Sequence, residues 1–304
     1  MNTRLLSLVF LFAVTVCSIA CHKSRVSPES TKLNAPSGFD VSSAMSTLFG
    51  NYDAGKQLSY YDVPKSAVID LHGSSFERGD DIEVRPFWIA STKEGDTRRV
   101  ILLTYAVPST KDYAPAFEGD EPFSCHACAP LIGAAVLVES EPGWKVESSR
   151  TAVTQSGGWG RPPDSVRIVH VGPRRIGIEI TDTDTGQGQT TSSKTLLVPW
   201  EGKINEALVR VVRDDDKGMC GKDSLPCYSN RKKPVFVSGT NPDYYDVVLT
   251  LSGTDITESD PIIRKHVHGT ERLQFRNGTY ETESKQGDTT SVERFVAGAS
   301  EVQK

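Results

Sequence analysis

Short runs of alternating apolar and polar residues, separated by turn residues, occupy most of the chain from residue 82 to residue 283. One example joins residues 272–275 to residues 280–283 through Asn277-Gly278. Asn-Gly favours a two-residue hairpin turn because both residues accept a positive φ. Further hairpins are predicted around Lys93-Glu94-Gly95-Asp96, Pro142-Gly143 and Gly172-Pro173. Because no helical pattern separates these hairpins, the sequence predicts an antiparallel all-β body.

Two architectures fit a series of antiparallel hairpins: a β-sandwich and a partial β-propeller. The sandwich is favoured because the chain has no clear repeat of blade length. Ahead of the hairpins, Asp40 can cap a helix, apolar residues follow at helical spacing, and Gly50 can end it. We therefore expect an all-β fold with one short N-terminal helix.

The first 20 residues have the pattern of a signal peptide. Arg4 carries their only side-chain charge, and residues 5–16 form an apolar run interrupted only by Ser7 and Thr15. That run is too short to cross a bilayer, which takes about 20 residues. Small residues, Ser18 and Ala20, stand three places and one place before Cys21, as a signal peptidase requires. Cleavage is therefore expected before Cys21.

Cys21 offers two routes after cleavage. Ala20-Cys21 resembles the lipobox of bacterial lipoproteins, although Ser18 stands where leucine is preferred, and acylation of Cys21 would make the protein a membrane-anchored lipoprotein. The alternative is a secreted or periplasmic soluble protein with Cys21 unmodified. We favour lipidation, with residues 21–38 as a polar tether and residues 39–304 as a β-rich extracytoplasmic domain. In lipoproteins of this kind, a non-acidic residue such as His22 accompanies sorting to the outer membrane.

The charge balance bears on the partners of the mature chain. Without residues 1–20 it holds 33 basic and 39 acidic residues, because Arg4 is the only charged side chain removed. A net negative chain argues against nucleic acid, whose phosphates require a basic surface. The expected partners are the membrane, through the lipid anchor, and an envelope protein or glycan. No cofactor is expected.

Four cysteines remain in the body of the chain, and an even number in an oxidising compartment indicates disulfides. Cys125 and Cys128 lie in Cys-His-Ala-Cys-Ala, where Ala129 replaces the histidine of a haem c motif. A redox pair would need a helix after the cysteines, and Pro130 and an apolar run follow instead. The spacing of Cys220 and Cys227 does not fit a zinc site. Local pairs, Cys125–Cys128 and Cys220–Cys227, are therefore expected.

Two groups of residues are weak candidates for a metal site. Asp214, Asp215 and Asp216 precede Cys220 in a polar segment, residues 212–227, that is predicted to be a loop. They could supply oxygen ligands to calcium, but the spacing is not that of an EF-hand, and runs of charge are usually solvated. His266 and His268 would lie on one side of an extended segment, as a transition-metal site requires, but no third ligand is assigned. No metal is therefore predicted.

Several sequence segments resemble a group of exported, β-rich bacterial proteins to which no activity is assigned. The resemblance rests on four segments: Cys-His-Ala-Cys-Ala-Pro-Leu-Ile-Gly-Ala-Ala at 125–135, Gly-Gly-Trp-Gly at 157–160, Gly-Gln-Gly at 186–188, and Phe-Arg-Asn-Gly-Thr-Tyr at 275–280. It covers most of residues 82–283 and implies an exported β protein.

Two classes of function remain open. The sequence lacks Gly-x-Ser-x-Gly, the P-loop, His-Glu-x-x-His and a Gly-x-Gly-x-x-Gly that opens a helix. The first class, which we favour, is a non-catalytic envelope lipoprotein that binds a partner through loops on a rigid β scaffold. The second is an enzyme, either a periplasmic thiol-disulfide oxidoreductase that uses Cys125 and Cys128 or a hydrolase without a recognised motif. No catalytic residue is assigned.

Overall fold

The computed structural model of the chain describes residues 33–62, 81–109, 123, 128–163, 165–220, 226–256 and 264–282. This part contains one helix, α1 (Val41–Phe49), and fourteen strands. The strands are β1 (Tyr52–Asp53), β2 (Leu58–Asp62), β3 (Asp81–Glu94), β4 (Thr97–Pro108), β5 (Leu131–Ser140), β6 (Gly143–Gln155), β7 (Ser165–Gly172), β8 (Arg175–Gly186), β9 (Gln189–Trp200), β10 (Lys203–Asp215), β11 (Ser229–Val237), β12 (Asp246–Ile256), β13 (Arg264–Arg276) and β14 (Thr279–Thr282). The predicted signal peptide and Cys21 lie outside the described residues.

The strands form two antiparallel sheets in which each strand pairs with its neighbour in the chain. The first sheet runs from β1 to β6 and the second from β7 to β14. The prediction of an all-β, sandwich-like fold with one short helix is confirmed. The predicted hairpins at Gly95, at 142–143, at 172–173 and at Asn277-Gly278 are β3–β4, β5–β6, β7–β8 and β13–β14.

Helix α1 begins and ends where its capping residues predict. The Asp40 side chain accepts hydrogen bonds from the backbone N–H groups of Ser42 and Ser43, at 3.0 and 3.3 Å. Gly50, with φ +80°, ends the helix in a conformation that favours glycine. The buried face of the helix includes Met45 and packs on the outer face of the first sheet.

The first core lies between α1 and the first sheet, and a second core lies between the two sheets. Its residues come from alternate positions of β4, β5 and β6 on one side and of β8, β9 and β10 on the other: Ile101, Leu103, Ile132, Val136, Val153, Ile178, Ile180, Leu197 and Ile204. The period-two pattern sends the neighbours of these residues to the opposite faces. Leu102 thus packs in the core beneath α1, and Leu196 packs in a third core.

The third core forms because the second sheet folds over between β10 and β11. These strands pair only from Arg213 to Asp215. Beyond that point β11–β14 lie over β9 and β10, as the ion pair between Arg210 of β10 and Glu271 of β13 shows (3.5 Å). Apolar residues of both halves meet there, among them Leu196, Val198, Val247, Leu249, Leu273 and Phe275. The successive layers are therefore α1, the first sheet, β7–β10 and β11–β14.

Part of the predicted loop at 212–227 is a strand. β10 continues to Asp215 and pairs with β9 over its whole length, apart from two register shifts. The hairpin β9–β10 was not predicted from the sequence. Its turn is Glu201-Gly202, with φ +48° and +74°, which is the same geometry that Asn277-Gly278 adopts.

Candidate functional site

A cavity of about 270 Å³ opens between the first sheet and the turns of the second, and we call it the inter-sheet groove. Its walls come from the β3–β4 hairpin, from β5 and β6, from the turns β7–β8 and β9–β10, and from the segment before β12. The lining residues are Glu94, Arg99, Val136, Glu147, Ser148, Arg174, Arg175, Ile176, Pro199, Trp200, Glu201, Gly202 and Tyr244. The groove is therefore mostly polar, with an apolar floor.

One side of the groove is an ion-pair network centred on Arg99. Its Nε and Nη2 donate to the two oxygens of Glu147 at 2.7 and 3.0 Å, and its Nη1 donates to Glu94 at 3.1 Å. The hydrogen bond with Glu147 raises the pKa of Arg99, which keeps the guanidinium charged. The charge of Arg99 is thus shared between two carboxylates.

A β-bulge in β6 brings Glu147 and Ser148 to the same wall. Val136 of β5 pairs with Ser148, whereas the next residue, Leu137, pairs with Val146, so Glu147 has no residue opposite it. A bulge of this kind interrupts the strict alternation of side chains and re-aims one of them. Both Glu147 and Ser148 consequently line the groove.

Ser148 is buried, with 3% of its surface exposed, and its hydroxyl has no hydrogen-bond partner among the described residues. A buried polar group without a partner costs about 1–3 kcal/mol. The hydroxyl oxygen itself is not exposed, so this cost belongs to the folded protein.

The β7–β8 turn contributes two arginines to the opposite side of the groove. Arg175 stacks over the ring of Tyr244, with its guanidinium carbon 5.5 Å from the ring centre, and lies 3.9 Å from a carboxylate oxygen of Asp243. Arg174 is exposed and has no ion pair or hydrogen bond to any described side chain. The donors of Arg174 therefore have no partner among the described residues, and those of Arg175 are engaged only by the long contact with Asp243.

Glu201 lies in the β9–β10 turn, at a position where the backbone is strained for glutamate. Its φ of +48° is in the left-handed region that glycine and asparagine occupy more readily. The turn is joined to β6 by a hydrogen bond from the Ser149 N–H to the Gly202 carbonyl, at 3.4 Å. The Glu201 carboxylate has no hydrogen bond or ion pair within the described part of the chain.

The groove also has a rigid aromatic base. Trp200 contacts Tyr244 and Phe275 edge to face, with ring centres 5.7 and 5.4 Å apart, and Tyr244 stacks on Phe275 at 3.9 Å. The hydroxyl of the buried Tyr244 donates to the Pro199 carbonyl at 3.2 Å. Burial raises the pKa of Tyr244, so this hydroxyl is neutral and remains a donor. The turns that carry Glu201 and Arg175 are thereby fixed to the third core.

The groove is lined by groups that can bind a ligand through hydrogen bonds and charge. The described residues that line the groove include no histidine, cysteine or lysine. The carboxylates of Glu94 and Glu147 are ion-paired with Arg99. The groove offers hydrogen-bond donors and acceptors held on strands and tight turns.

The described cysteines, Cys128, Cys220 and Cys227, do not line the groove. Cys220 and Cys227 form a disulfide with their Cα atoms 5.0 Å apart, which confirms that pair. Cys128 is also disulfide-bonded. Cys125 lies outside the described residues, so the pairing Cys125–Cys128 stays a prediction. Because Cys220 and Cys227 are bonded to each other, their sulfurs are not metal ligands in this state.

The acidic run before Cys220 forms hydrogen bonds within the protein. Asp214 accepts from the Tyr228 hydroxyl at 3.2 Å, and Asp216 accepts from the Tyr228 N–H at 2.8 Å. Asp215 is buried and accepts from Arg213 Nε at 2.7 Å. Burial acts to raise the pKa of Asp215, but the hydrogen bond and charge of Arg213 outweigh it and the pKa is lowered. The three aspartates therefore use their carboxylates in contacts with Arg213 and with Tyr228, the residue after Cys227.

His266 and His268 are exposed on β13, on the same side of the strand. Among the described residues, the one group of three potential metal ligands within reach of a common ion is Asp216 with Cys220 and Cys227. The two histidines are not part of it, and its cysteines are oxidised. The weak metal candidates of the sequence are thus not brought together.

The groove residues were not identified from the sequence. Arg174, Ser148 and Glu201 belong to no motif, and the bulge that places Glu147 depends on pairing between strands. One signal was present: Trp-Glu-Gly-Lys at 200–203 has a turn glycine between apolar runs, and a hairpin there would have placed Glu201 at a turn.

Comparison of the chain with protein-family models, with curated proteins and with solved structures gives no match. In the described part of the chain, no helix has the length and apolar character needed to span a membrane.

Proposed function

We propose that this chain is an exported envelope lipoprotein, anchored through Cys21, that acts as a non-catalytic binding protein. The inter-sheet groove is the binding site. This proposal rests above all on one observation: Arg174 lines the groove with an exposed, charged guanidinium whose donors have no partner among the described residues.

The scaffold supports a role in binding. The groove is built from strands and two-residue turns, and the aromatic cluster of Trp200, Tyr244 and Phe275 holds those turns in place. A site whose side chains are already positioned binds with little loss of conformational entropy. Polar groups that lack partners within the protein supply the specificity.

The location outside the cytoplasm is supported by the N-terminal sequence and by the Cys220–Cys227 disulfide. Disulfides persist in oxidising compartments and are rare in the cytosol. The lipid anchor on Cys21 and the outer membrane as destination are further parts of the proposal. They rest on the cleavage pattern before Cys21 and on His22 after it.

Fractionation of cells that make the full chain tests the anchor. The protein should partition with membranes, and Cys21→Ser should move it to the soluble extracytoplasmic fraction. Cys17→Ser is the matched control, because Cys17 lies within the segment that is removed, and it should leave the distribution unchanged. A Cys21→Ser protein that stays in the membrane fraction would contradict lipid anchoring.

Capture of envelope components by the purified exported protein tests the binding role. The double variant Arg174→Gln, Arg175→Gln should lose the captured component, while Arg264→Gln, an exposed arginine at the far end of β13, should keep it. Equal capture by all three proteins would show that the groove is not the binding site.

A further inference from the structure

We propose that the ligand of the inter-sheet groove is an acidic carbohydrate, in which a sugar carboxylate is bound by Arg174 and Arg175 and ring hydroxyls are bound by the glutamates. This inference rests on the proposed function and adds the chemical class of the ligand.

Some charged side chains of the groove form ion pairs within the protein, and others keep hydrogen-bond donors that no ion pair uses. Glu94 and Glu147 share the charge of Arg99, so that side of the groove has little attraction left for a cation. Arg174 has no partner among the described residues, and Arg175 has one weak contact, at 3.9 Å, with an exposed Asp243. Two neighbouring guanidinium groups therefore face the groove with unused N–H donors. A planar carboxylate matches the fork of a guanidinium, which makes two parallel hydrogen bonds with it.

The remaining polar groups call for a ligand that also donates hydrogen bonds. Glu94, Glu147 and Glu201 line the groove, and carboxylate oxygens have more lone pairs than the bonds from Arg99 occupy. A free phosphate has few protons to give them. A sugar acid brings several hydroxyl groups as donors together with one carboxylate.

The strained turn at Glu201 also supports a ligand that donates hydrogen bonds. Non-glycine residues in the left-handed region cluster at binding sites, where the position of the side chain matters more than its backbone cost. Glu201 occupies such a position at the groove, with no partner for its carboxylate among the described residues. A ligand hydroxyl is the partner that this carboxylate lacks.

The size of the groove limits the ligand that enters it. Its 270 Å³ lies just below the range of about 300–1,000 Å³ for small-molecule sites. It can thus hold one ring with its carboxylate, and the rest of a longer chain would extend into solvent. Pro199 and Ile176 offer an apolar surface to the non-polar face of that ring.

Calorimetric titration of the purified exported protein tests the inference with defined probes. Oligogalacturonate is expected to bind, and the neutral oligosaccharide of the same length is expected to bind at least about tenfold more weakly, because it lacks the charge-assisted bonds. Inorganic phosphate and a short peptide with a free C-terminal carboxylate are also expected to bind more weakly. Equal binding of the acidic and neutral sugars, or tighter binding of phosphate or of the peptide, would overturn the inference.

Substitutions of Arg174 test whether this side chain binds the carboxylate of the ligand. Arg174→Gln should weaken oligogalacturonate binding about tenfold or more, and Arg174→Lys should recover only part of it, because lysine lacks the planar fork. Arg264→Gln, at the far end of β13, should have no effect. If Arg174→Lys binds as tightly as the native protein, the carboxylate fork is wrong. If the groove double variant loses an envelope ligand that is not an acidic sugar, the proposed binding function stands and this inference fails.

Discussion

Arg99 on β4 and Glu147 on β6 are joined by two hydrogen bonds, at 2.7 and 3.0 Å, that pass over the intervening strand β5. This contact ties the bulge in β6 to the centre of the first sheet. It therefore holds one wall of the inter-sheet groove in place before any ligand binds.

Loss of this contact should destabilise the protein by a modest amount. Glu147→Gln is expected to lower the free energy of unfolding by about 1 kcal/mol, because paired charge-assisted bonds are lost at a partly exposed site. The measurement is urea denaturation. Glu139→Gln is the matched control, since Glu139 forms a longer, exposed ion pair with Arg98 at 3.5 Å. A loss at Glu139 as large as that at Glu147 would contradict the role assigned to the bidentate pair.

Relief of backbone strain should separate stability from binding. Glu201→Asn is expected to raise the free energy of unfolding by about 0.5–1 kcal/mol, because asparagine tolerates the left-handed conformation better. Gln187, with φ +51° before Gly188 in the β8–β9 turn, provides the control. Gln187→Asn should stabilise the protein similarly. Of the two variants, only Glu201→Asn should weaken ligand binding, and weakened binding in both would argue against a specific role for Glu201.

A buried carboxylate in the second sheet should make stability sensitive to acid. Glu179 of β8 accepts hydrogen bonds from Arg167 at 2.8 Å and from Lys194. Burial acts to raise the pKa of Glu179, but the two cations outweigh it and the pKa is lowered. A lowered pKa in the folded state contributes stability above the pKa of an unfolded glutamate, about 4.3, and that stability is lost as the pH falls through the folded-state pKa.

Glu179→Gln should therefore remove part of the loss of stability between about pH 5 and pH 3. At neutral pH the same change should cost about 2 kcal/mol, because Arg167 and Lys194 lose a charged acceptor. Denaturant midpoints measured across that range provide the test. Glu281→Gln, at an exposed residue of β14, serves as the control and should keep the native pH dependence. If the stability of Glu179→Gln falls with pH as steeply as that of the native protein, groups other than Glu179 cause the sensitivity to acid.

The Cys220–Cys227 disulfide should stabilise the loop without being essential for folding. Seven positions separate the two cysteines, and a short ring restricts the unfolded chain less than a long one. Replacing both with serine is expected to lower the free energy of unfolding by about 2 kcal/mol, measured by thermal denaturation. The circular dichroism spectrum should remain that of a β protein. Complete loss of folding would mean that the loop organises more of the second sheet than its contacts indicate.

The hairpins with glycine turns were predictable because turn chemistry is local. Asn277-Gly278 alone specifies the geometry of β13–β14, and the observed φ values of +48° and +86° agree with it. The β9–β10 hairpin was missed because residues 189–195 are mostly polar and show no apolar alternation. Their strand structure comes from pairing with β8 and β10 on either side, which local sequence does not reveal.

The groove could not be predicted from the sequence, for a different reason. Its walls come from residues as far apart in the chain as Glu94 and Tyr244, and only the packing of the two sheets brings them together. The placement of Glu147 and Ser148 on one wall likewise depends on a shift of register between β5 and β6. In contrast, the Cys220–Cys227 pair needed only a local turn, and spacing was sufficient to predict it.

The simple order of strands in both sheets has a consequence for how the chain reaches its native state. Since every ladder among the described strands joins strands that are consecutive in the chain, the entropy cost of closing each one is that of a short or moderate loop. A hairpin can form as soon as its second strand is available, without waiting for a distant partner. A polypeptide that crosses a narrow channel with its N-terminus first can thus assemble its layers in sequence. The fold-over at β10 and β11 is then the last large step, when β11–β14 arrive and bury the third core.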